Sequence, residues 1–155
     1  MSYKNQRFFN ICMVVLSWIS VAFIGANNIR RFFPATIIIG MLEILNGLLG
    51  KKRKWWVFYK KPNSYLSGEL SYNIGPFILI SFLTLKFGYG NFKKFMFLSA
   101  LIHAFFAFPF AYLAKRIKLF SLVRINHLQF FFYYLLKAPI LYFIQFLFDK
   151  KEKAL

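Results

Sequence analysis

Eleven residues between two long apolar runs constrain this chain more than any other stretch. Segment 51–61 carries six positive charges and four aromatic rings. Each Lys or Arg costs roughly 2.5–3.5 kcal/mol at the centre of a membrane-spanning helix, so this segment cannot cross a bilayer. Its composition instead predicts an anchor at the membrane surface, where cations meet the phosphates of anionic lipids and aromatic rings rest among the headgroups. The predicted headgroup contacts are Lys51, Lys52, Arg53, Lys54, Trp55, Trp56, Lys60 and Lys61.

The composition is typical of a membrane protein rather than a soluble domain. The 155 residues are 59% hydrophobic and 23% aromatic, and the formal net charge is +17. Such a charge could indicate a nucleic-acid partner, but nucleic-acid binders gather their basic residues on one face of a soluble fold. Here nearly every Lys and Arg lies in a gap between apolar runs. We therefore attribute the charge to membrane topology and lipid contact, and expect no nucleic-acid partner.

Five apolar runs are each about as long as a membrane-spanning helix. A helix needs roughly 20 residues to cross a hydrocarbon core about 30 Å thick. Because every backbone group in lipid must be hydrogen-bonded internally, the runs predict an all-α, integral membrane bundle of about five transmembrane helices. No soluble domain remains beside it, so residues 1–155 are expected to form a single membrane domain. The predicted spans cover residues 8–24, 32–50, 70–87, 95–114 and 128–148.

The first run also has the outline of a secretory signal peptide, because Lys4 and Arg7 precede its apolar core. Residues 24–26 could serve as a weak cleavage site, but the run is longer than a usual signal core and contains no Ala-x-Ala. We expect a retained span and keep cleavage of residues 1–26 as the alternative. The single cysteine, Cys12, lies in this run and is interpreted as a small buried hydrophobe.

The second run has two contrasting faces. Small and polar residues recur at helical spacing along one of them, at Thr36, Gly40, Glu43, Gly47 and Gly50. Aliphatic residues follow the same spacing along the other, at Ile38, Leu42, Leu45 and Leu49. This pattern predicts a helix whose small, polar face contacts protein and whose aliphatic face contacts lipid.

Prolines mark the expected irregularities. Pro34 falls in the first turn of the second predicted span, where a missing N–H does no harm, and residues 27–31 are expected to form a short connection before it. Gly75-Pro76 predicts a kink near the start of the third span, and Pro109 predicts a bend in the fourth.

Counting positive residues gives the expected orientation. With five spans, the N-terminus, the 51–68 loop and the 115–127 loop share one side and hold twelve Lys and Arg, against eight on the other side. Loops rich in Lys and Arg favour the cytoplasmic side of the membrane. We therefore expect a multi-pass protein whose N-terminus is cytoplasmic.

Several short sequence phrases resemble those of one group of proteins. They are Phe33-Pro34-Ala35-Thr36, Lys52-Arg53-Lys54-Trp55-Trp56, Lys61-Pro62-Asn63, Gly68-Glu69-Leu70, Gly75-Pro76-Phe77, Tyr89-Gly90-Asn91-Phe92 and Ser121-Leu122-Val123-Arg124. In this order they resemble small, uncharacterised multi-pass membrane proteins of Bacillus-like, low-GC Gram-positive bacteria, over about residues 30–150. The resemblance implies a protein of the bacterial cytoplasmic membrane. It implies no activity and no site residues.

Catalytic and metal-binding motifs are missing from the sequence. It contains no Gly-rich phosphate loop, no His-Glu-x-x-His and no cysteine pair, so we expect neither an enzyme nor a cofactor. Glu69, at a span end, is expected to cap the third helix or bind a neighbouring Lys. His127 is interpreted as an interfacial side chain rather than a metal ligand, since zinc needs three or four ligands.

One group of ionisable residues remains. Glu43, His103 and Lys137 each fall near the middle of a different predicted span. Ionisable residues inside a membrane usually face the protein interior and pair with one another, and many mark ion or proton pathways. A carboxylate and an ammonium at the same depth relieve each other's desolvation, and His103 could exchange a proton nearby. We predict a cluster of the three, either as a static pair that fixes helix register or as a relay.

These observations favour one class of function over another. We expect a structural or accessory membrane protein, with a small transporter or a proton or ion pathway through the cluster as the alternative. The expected partners are a bilayer with anionic phospholipids and, besides it, another membrane protein or a second copy of the chain.

Overall fold

The computed structural model describes residues 3–59 and 68–154, and most of these residues are helical. The helices are α1 (Tyr3–Ala22), α2 (Ala26–Lys52), α3 (Gly68–Ile74), α4 (Pro76–Gly88), α5 (Phe92–Phe105), α6 (Ala111–Arg116), α7 (His127–Leu135) and α8 (Lys137–Ala154). A π-helical turn, Phe106–Phe110, joins α5 to α6. Two short strands, β1 (Trp56–Phe58) and β2 (Phe120–Leu122), pair antiparallel. The predicted all-α fold is confirmed, with this strand pair as an addition.

Helix α3 continues into α4, α5 into α6 through the π-helical turn, and α7 into α8, so that with α1 and α2 the described residues form five helical rods. Four of them are long and apolar enough to cross a membrane, namely Ala26–Lys52, Glu69–Gly88, Phe92–Arg116 and His127–Ala154. The fifth is α1, whose apolar part, Arg7–Ala22, is shorter than that. Gly25 separates α1 from α2, and its φ of +98° is a backbone conformation that glycine adopts without steric penalty.

The expected connection at residues 27–31 is wrong, because these residues already belong to α2. The turn after α1 is short: the Asn28 side chain donates to the Ile24 carbonyl at 3.1 Å, and the Ile29 N–H donates to the Gly25 carbonyl at 3.0 Å. Pro34 consequently lies inside α2 rather than in its first turn.

The other two predicted irregularities are present. Gly75 interrupts the third rod between α3 and α4 with φ −110° and ψ −94°, and Pro76 begins α4. Around Pro109 the chain widens into the π-helical turn. Proline lacks the N–H that would donate to the carbonyl four residues earlier, which explains why the regular ladder changes there.

The faces of α2 are oriented as the sequence predicts. All members of the small, polar face are buried, among them Glu43 at 1% exposure. The members of the aliphatic face are exposed, from 37% at Ile38 to 59% at Leu45. The buried face packs against α4 and α8. Residue spacing alone therefore identified which face of this helix is buried.

The strand pair closes one end of the bundle, which we call the strand end. Trp56 lies opposite Leu122 and Phe58 opposite Phe120. Since β1 follows α2 and β2 follows α6, residues 51–59 and 115–126 lie together at this end.

The opposite end is held by a polar contact, and we call it the clasp end. The Arg31 guanidinium donates to the Asp149 carboxylate at 2.6 Å and lies 5.3 Å from the ring centre of Tyr89. The arrangement agrees with the predicted placement of the connecting segments on two sides.

Gly88 allows the backbones of α4 and α5 to approach each other closely. We therefore predict that Gly88→Ala destabilises the bundle. A Cβ at Gly88 would lie 2.6 Å from the Cα of Phe95, so a helix must move. We expect a loss of about 1–3 kcal/mol in the free energy of unfolding, measured by denaturation in detergent. Gly40→Ala is the control, because its Cβ would meet only the mobile Cδ1 of Ile78, at 2.8 Å. Equal losses in the two variants would contradict this packing.

Candidate functional site

The predicted contact between Glu43 and Lys137 is present. Lys137, the first residue of α8, donates to the Glu43 carboxylate on α2, and the two form a salt bridge. Glu43 is 1% exposed and Lys137 is 7% exposed. The pair therefore joins two helical rods through an ion pair that is buried inside the protein.

Two tyrosines complete the surroundings of the ammonium. The Nζ of Lys137 lies 3.3 Å from the ring centre of Tyr133 and 4.6 Å from that of Tyr134. The Tyr133 hydroxyl also donates to Oε1 of Glu43 at 3.4 Å. A cation over an aromatic face is attracted by the ring quadrupole, most strongly where water is excluded. The three side chains come from α7 and the start of α8, around the break at Leu136.

His103 is the third predicted member, and it lies beside the pair rather than in it. Its ring stacks on Tyr134, with 5.7 Å between ring centres and 22° between planes. It borders a small cavity of about 20 Å³ together with Lys137 and the hydroxyl residues Ser81, Thr84 and Ser99. Among the described residues, His103 Nδ1 has no hydrogen-bond partner. The structure thus brings all three predicted residues into one cluster.

The predicted headgroup residues divide into two groups. Lys51, Lys52, Arg53 and Lys54 are exposed at the strand end, where they are free to meet a membrane surface. Trp55 is half-buried, with the Arg53 guanidinium 5.6 Å from its ring centre. Lys60 and Lys61 lie outside the described residues.

For Trp56 the prediction of headgroup contact is wrong. Its side chain is 5% exposed and packs inside the bundle, 5.2 Å from the ring centre of Tyr133. Gly50 makes the room, because a Cβ there would lie 2.6 Å from the Trp56 ring. Pairing of β1 with β2 orients alternate side chains to opposite faces, and the indole finds an acceptor on the inner one.

That acceptor is Glu69, in the first turn of α3. Trp56 Nε1 donates to its Oε1 at 3.1 Å. Glu69 therefore lies near a helix N-terminus as expected. Its hydrogen-bond partner is an indole N–H, and the neighbouring Lys51 acts on it electrostatically. The sequence carried a signal for this contact in the unusual Trp55-Trp56 pair, but not the information that one ring turns inward.

His127 occupies a structural position. Its Nδ1 hydrogen-bonds to the Ala107 carbonyl at 2.6 Å, in the π-helical turn. Within residues 3–59 and 68–154, no group of three or more His, Cys, Asp or Glu side chains could hold a metal ion. The interfacial position of His127 stays a prediction.

The fold and the site together define a class: an all-α bundle with four helices of membrane-spanning length and an ion pair buried between two of them. No protein-family model matches the chain, and comparisons with curated proteins and with solved structures found no match either.

We predict that the buried pair behaves as a unit in unfolding experiments. Glu43→Gln leaves the Lys137 ammonium without its counter-charge and should lower the free energy of unfolding in detergent by about 3–5 kcal/mol. The double variant Glu43→Gln with Lys137→Met should recover much of that loss, because no net charge then remains buried.

The Arg31–Asp149 pair provides the control, because its Arg31 side chain is 49% exposed. Asp149→Asn should cost about 1 kcal/mol or less, as is usual for ion pairs near the surface. If Glu43→Gln were as stable as the unchanged protein, with no added effect of Lys137→Met, the two side chains would not meet in solution.

Proposed function

We propose that this chain is a multi-pass protein of the bacterial cytoplasmic membrane with a structural or accessory role. The proposal rests on one observation above all, the large apolar side chains that cover much of the outside of the bundle. Polar side chains such as Glu43, Lys137 and Gln145 are instead buried, beside an apolar core.

Helix α2 illustrates this distribution of apolar and polar side chains. Met41, Leu45 and Leu48 are each about 60% exposed, while Glu43 among them is 1% exposed. Soluble monomers rarely expose contiguous apolar patches larger than a few hundred Å². Hydrocarbon around the bundle would cover such a surface, and the internal hydrogen bonds of the helices suit that environment.

Exposed cations support an orientation with the strand end toward the cytoplasm. Residues 51–54, around the end of α2, lie at the same end as Lys115 and Arg116 in the last turn of α6 and Lys118 and Arg124 beyond it. All of these cations are exposed. Such clusters attract anionic headgroups, each residue contributing about 1 kcal/mol near the surface. The resemblance to small membrane proteins of Bacillus-like bacteria belongs to the same proposal.

A structural role fits the way in which the buried charges are satisfied. The Glu43 carboxylate receives Lys137 and the Tyr133 hydroxyl, and the ammonium is covered by aromatic rings. A pair so enclosed holds α2 against α8 without further chemistry. Its partner, in this proposal, is the lipid bilayer together with another membrane protein or a second copy.

Cysteine labelling tests the topology. In a Cys12→Ala background, Lys52→Cys and Lys115→Cys report on the strand end, and Lys93→Cys and Lys153→Cys report on the clasp end; all four lysines are exposed. In intact cells an impermeant maleimide should reach only the clasp-end positions, and it should reach the other two after permeabilisation. Disagreement between two positions of one end would refute the five-rod topology, and exchange of both ends would reverse the orientation.

A second candidate function, a proton or ion pathway, is favoured by the surroundings of His103. His103, whose Nδ1 has no hydrogen-bond partner within residues 3–59 and 68–154, borders the same cavity as Lys137. The volume of this cavity, about 20 Å³, exceeds the roughly 10–15 Å³ that one water molecule needs. A water there would connect an imidazole to the buried ion pair. Intramembrane residues in such an arrangement commonly carry protons.

Flux measurements separate the two functions. Under the structural proposal, proteoliposomes with an internal pH dye and an imposed potential should acidify no faster than protein-free liposomes. A pathway requires faster acidification, abolished in the double variant Glu43→Gln with Lys137→Met and retained in Glu152→Gln, which changes an exposed carboxylate. Faster flux that the double variant leaves unchanged would contradict a route through the cluster.

A further inference from the structure

Two parts of the bundle repeat one order of elements. The first unit, the described residues from 26 to 88, contains a long helical rod, a strand and an interrupted rod, namely α2, β1, α3 and α4. The second unit, residues 92–154, repeats this order with α5 and α6, β2, α7 and α8. Helix α2 packs against both α4 and α8, and α5 packs against the same two helices. The two units therefore hold equivalent positions in the bundle.

The strand pair shows how the two units are related. Val57 lies opposite Ser121 at the centre of the pair. Trp56 and Phe120, which are separated by the same number of residues as Val57 and Ser121, lie on opposite sides of this centre. Each residue of β1 thus has a counterpart in β2 at one constant separation, and Val57 is paired with its own counterpart. Antiparallel pairing of this kind places a local twofold axis between Val57 and Ser121.

The rods before the two strands correspond at the same separation. The small, polar face of α2 is matched, position by position, by five alanines of the second unit, namely Ala100, Ala104, Ala107, Ala111 and Ala114. The last three of these are buried, as are their counterparts Glu43, Gly47 and Gly50 in the first unit. Both rods therefore direct a face of small residues toward the interior near the strand end.

Each of these rods is followed by the same turn, and each turn contains a lysine with positive φ. Lys54 after α2 has φ 55°, and Lys118 after α6 has φ 57°. A side chain meets a steric penalty in this region that glycine avoids, and glycine is the usual residue at this point of such a helix ending. The backbone thus favours glycine at both positions. Lysine at both positions indicates a use for its ammonium.

The two turns carry cations at three matched positions, and we call these two groups the cation arms. All six cations are exposed, namely Lys51, Lys52 and Lys54 in the first arm and Lys115, Arg116 and Lys118 in the second. The salt bridges of the described residues are Arg31–Asp149 and Glu43–Lys137, so neither arm takes part in one. Lys51 acts electrostatically on Glu69. Six cations against that carboxylate leave a positive potential that an external anion can neutralise.

Exposed apolar side chains precede each arm, again at matched positions. In the first unit Leu48 is 60% exposed and Leu49 is 52% exposed. Their counterparts in the second unit are Tyr112, which is 69% exposed, and Leu113, which is 51% exposed. Each arm therefore lies next to an apolar surface on the same rod. Cations beside an apolar surface fit the phosphate and the acyl chains of a lipid better than they fit a soluble anion.

We propose that the two cation arms bind one phospholipid that contains two linked phosphates, with one phosphate at each arm. Cardiolipin is the lipid of this kind, because it consists of two phosphatidyl groups joined by a glycerol. Its own near-twofold shape matches the local axis between the arms. The inference rests on the membrane location proposed above, and it names the partner of the strand end.

Native mass spectrometry of the full chain in a nonionic detergent tests the proposal. Cardiolipin and phosphatidylglycerol with the same acyl chains are titrated at equal phosphate concentration, so that the two lipids differ only in the link between phosphates. We expect one cardiolipin to bind about tenfold more tightly than phosphatidylglycerol, because the first phosphate holds the second one close to the other arm.

Glycine at the two turn positions separates binding from folding. Lys54→Gly and Lys118→Gly each remove one cation and relieve the positive φ, so thermal unfolding should show no loss of stability. Each single variant should weaken cardiolipin binding, and the double variant should lose most of the cardiolipin preference. Lys52→Gln with Arg116→Gln, which leaves both turns unchanged, should have the same effect.

The matched control removes the same number of cations from the clasp end. Lys93→Gln with Lys94→Gln changes two exposed lysines there and should keep the cardiolipin preference. Equal affinity for the two lipids would refute the site, and so would a preference that persists in both double variants of the arms. An equal loss in the clasp-end control would also refute it, because the effect would then follow net charge alone.

Two competitors distinguish the lipid from other anions. Inorganic pyrophosphate that displaces cardiolipin at equal concentration would assign the arms to a soluble anion. A single-stranded oligonucleotide that binds more tightly than cardiolipin would assign them to nucleic acid. Either result would overturn the proposal. The cysteine labelling described above tests the membrane orientation separately, so a missing lipid preference with the expected labelling refutes this site alone.

Discussion

The buried pair of Glu43 and Lys137 is the constraint on which the packing of this bundle depends. An isolated charge among apolar side chains carries a desolvation penalty of several kcal/mol, so neither residue can be buried without the other. Burial of both fixes the depth and the rotation of α2 relative to α8. After the break at Leu136, Lys137 begins a new helix three residues beyond Tyr134. Its ammonium thereby contacts both Glu43 and the ring of Tyr133.

The strand end depends on a different device, a matched pair of helix endings. Two residues after the ends of both α2 and α6 lies a lysine in the left-handed region, Lys54 at φ 55° and Lys118 at φ 57°. In each case the following residue donates back to the last helical turn, Trp55 to the Gly50 carbonyl at 3.0 Å and Leu119 to the Ala114 carbonyl at 2.8 Å. This is the Schellman geometry, which reverses the chain within two residues. Each reversal leads directly into a strand, so the two strands meet and carry Trp56 inward.

Residue spacing predicted much of this arrangement, and its failures have identifiable causes. The helical repeat of small and polar residues identified the buried face of α2, and matched depth identified the partner of Glu43, because both follow from one-dimensional positions. The strand pair joins residues 56–58 to 120–122, a distant contact that no local pattern indicates. Trp56 was misplaced for that reason, since an indole suits a lipid interface and a protein interior equally well. The start of α2 was predicted too late in the chain, because polar residues at the end of a span are also typical of loops. The sequence does not show that the turn before this helix lies at Gly25.

The four carboxylates of the chain show how its charges are distributed. Asp149 is paired at the clasp end, Glu152 lies on the exposed tail, and Glu43 is neutralised inside the bundle. The large positive charge of the protein is therefore carried mostly by side chains on its outside, where water or headgroups can screen it. Glu69 differs from the other three acidic residues, because it lies against aromatic side chains, accepts from the neutral indole of Trp56 and feels the charge of Lys51 at the end of α2. Its carboxylate therefore ties β1 to α3 through a hydrogen bond, whereas the other buried carboxylate, Glu43, ties α2 to α8 through an ion pair.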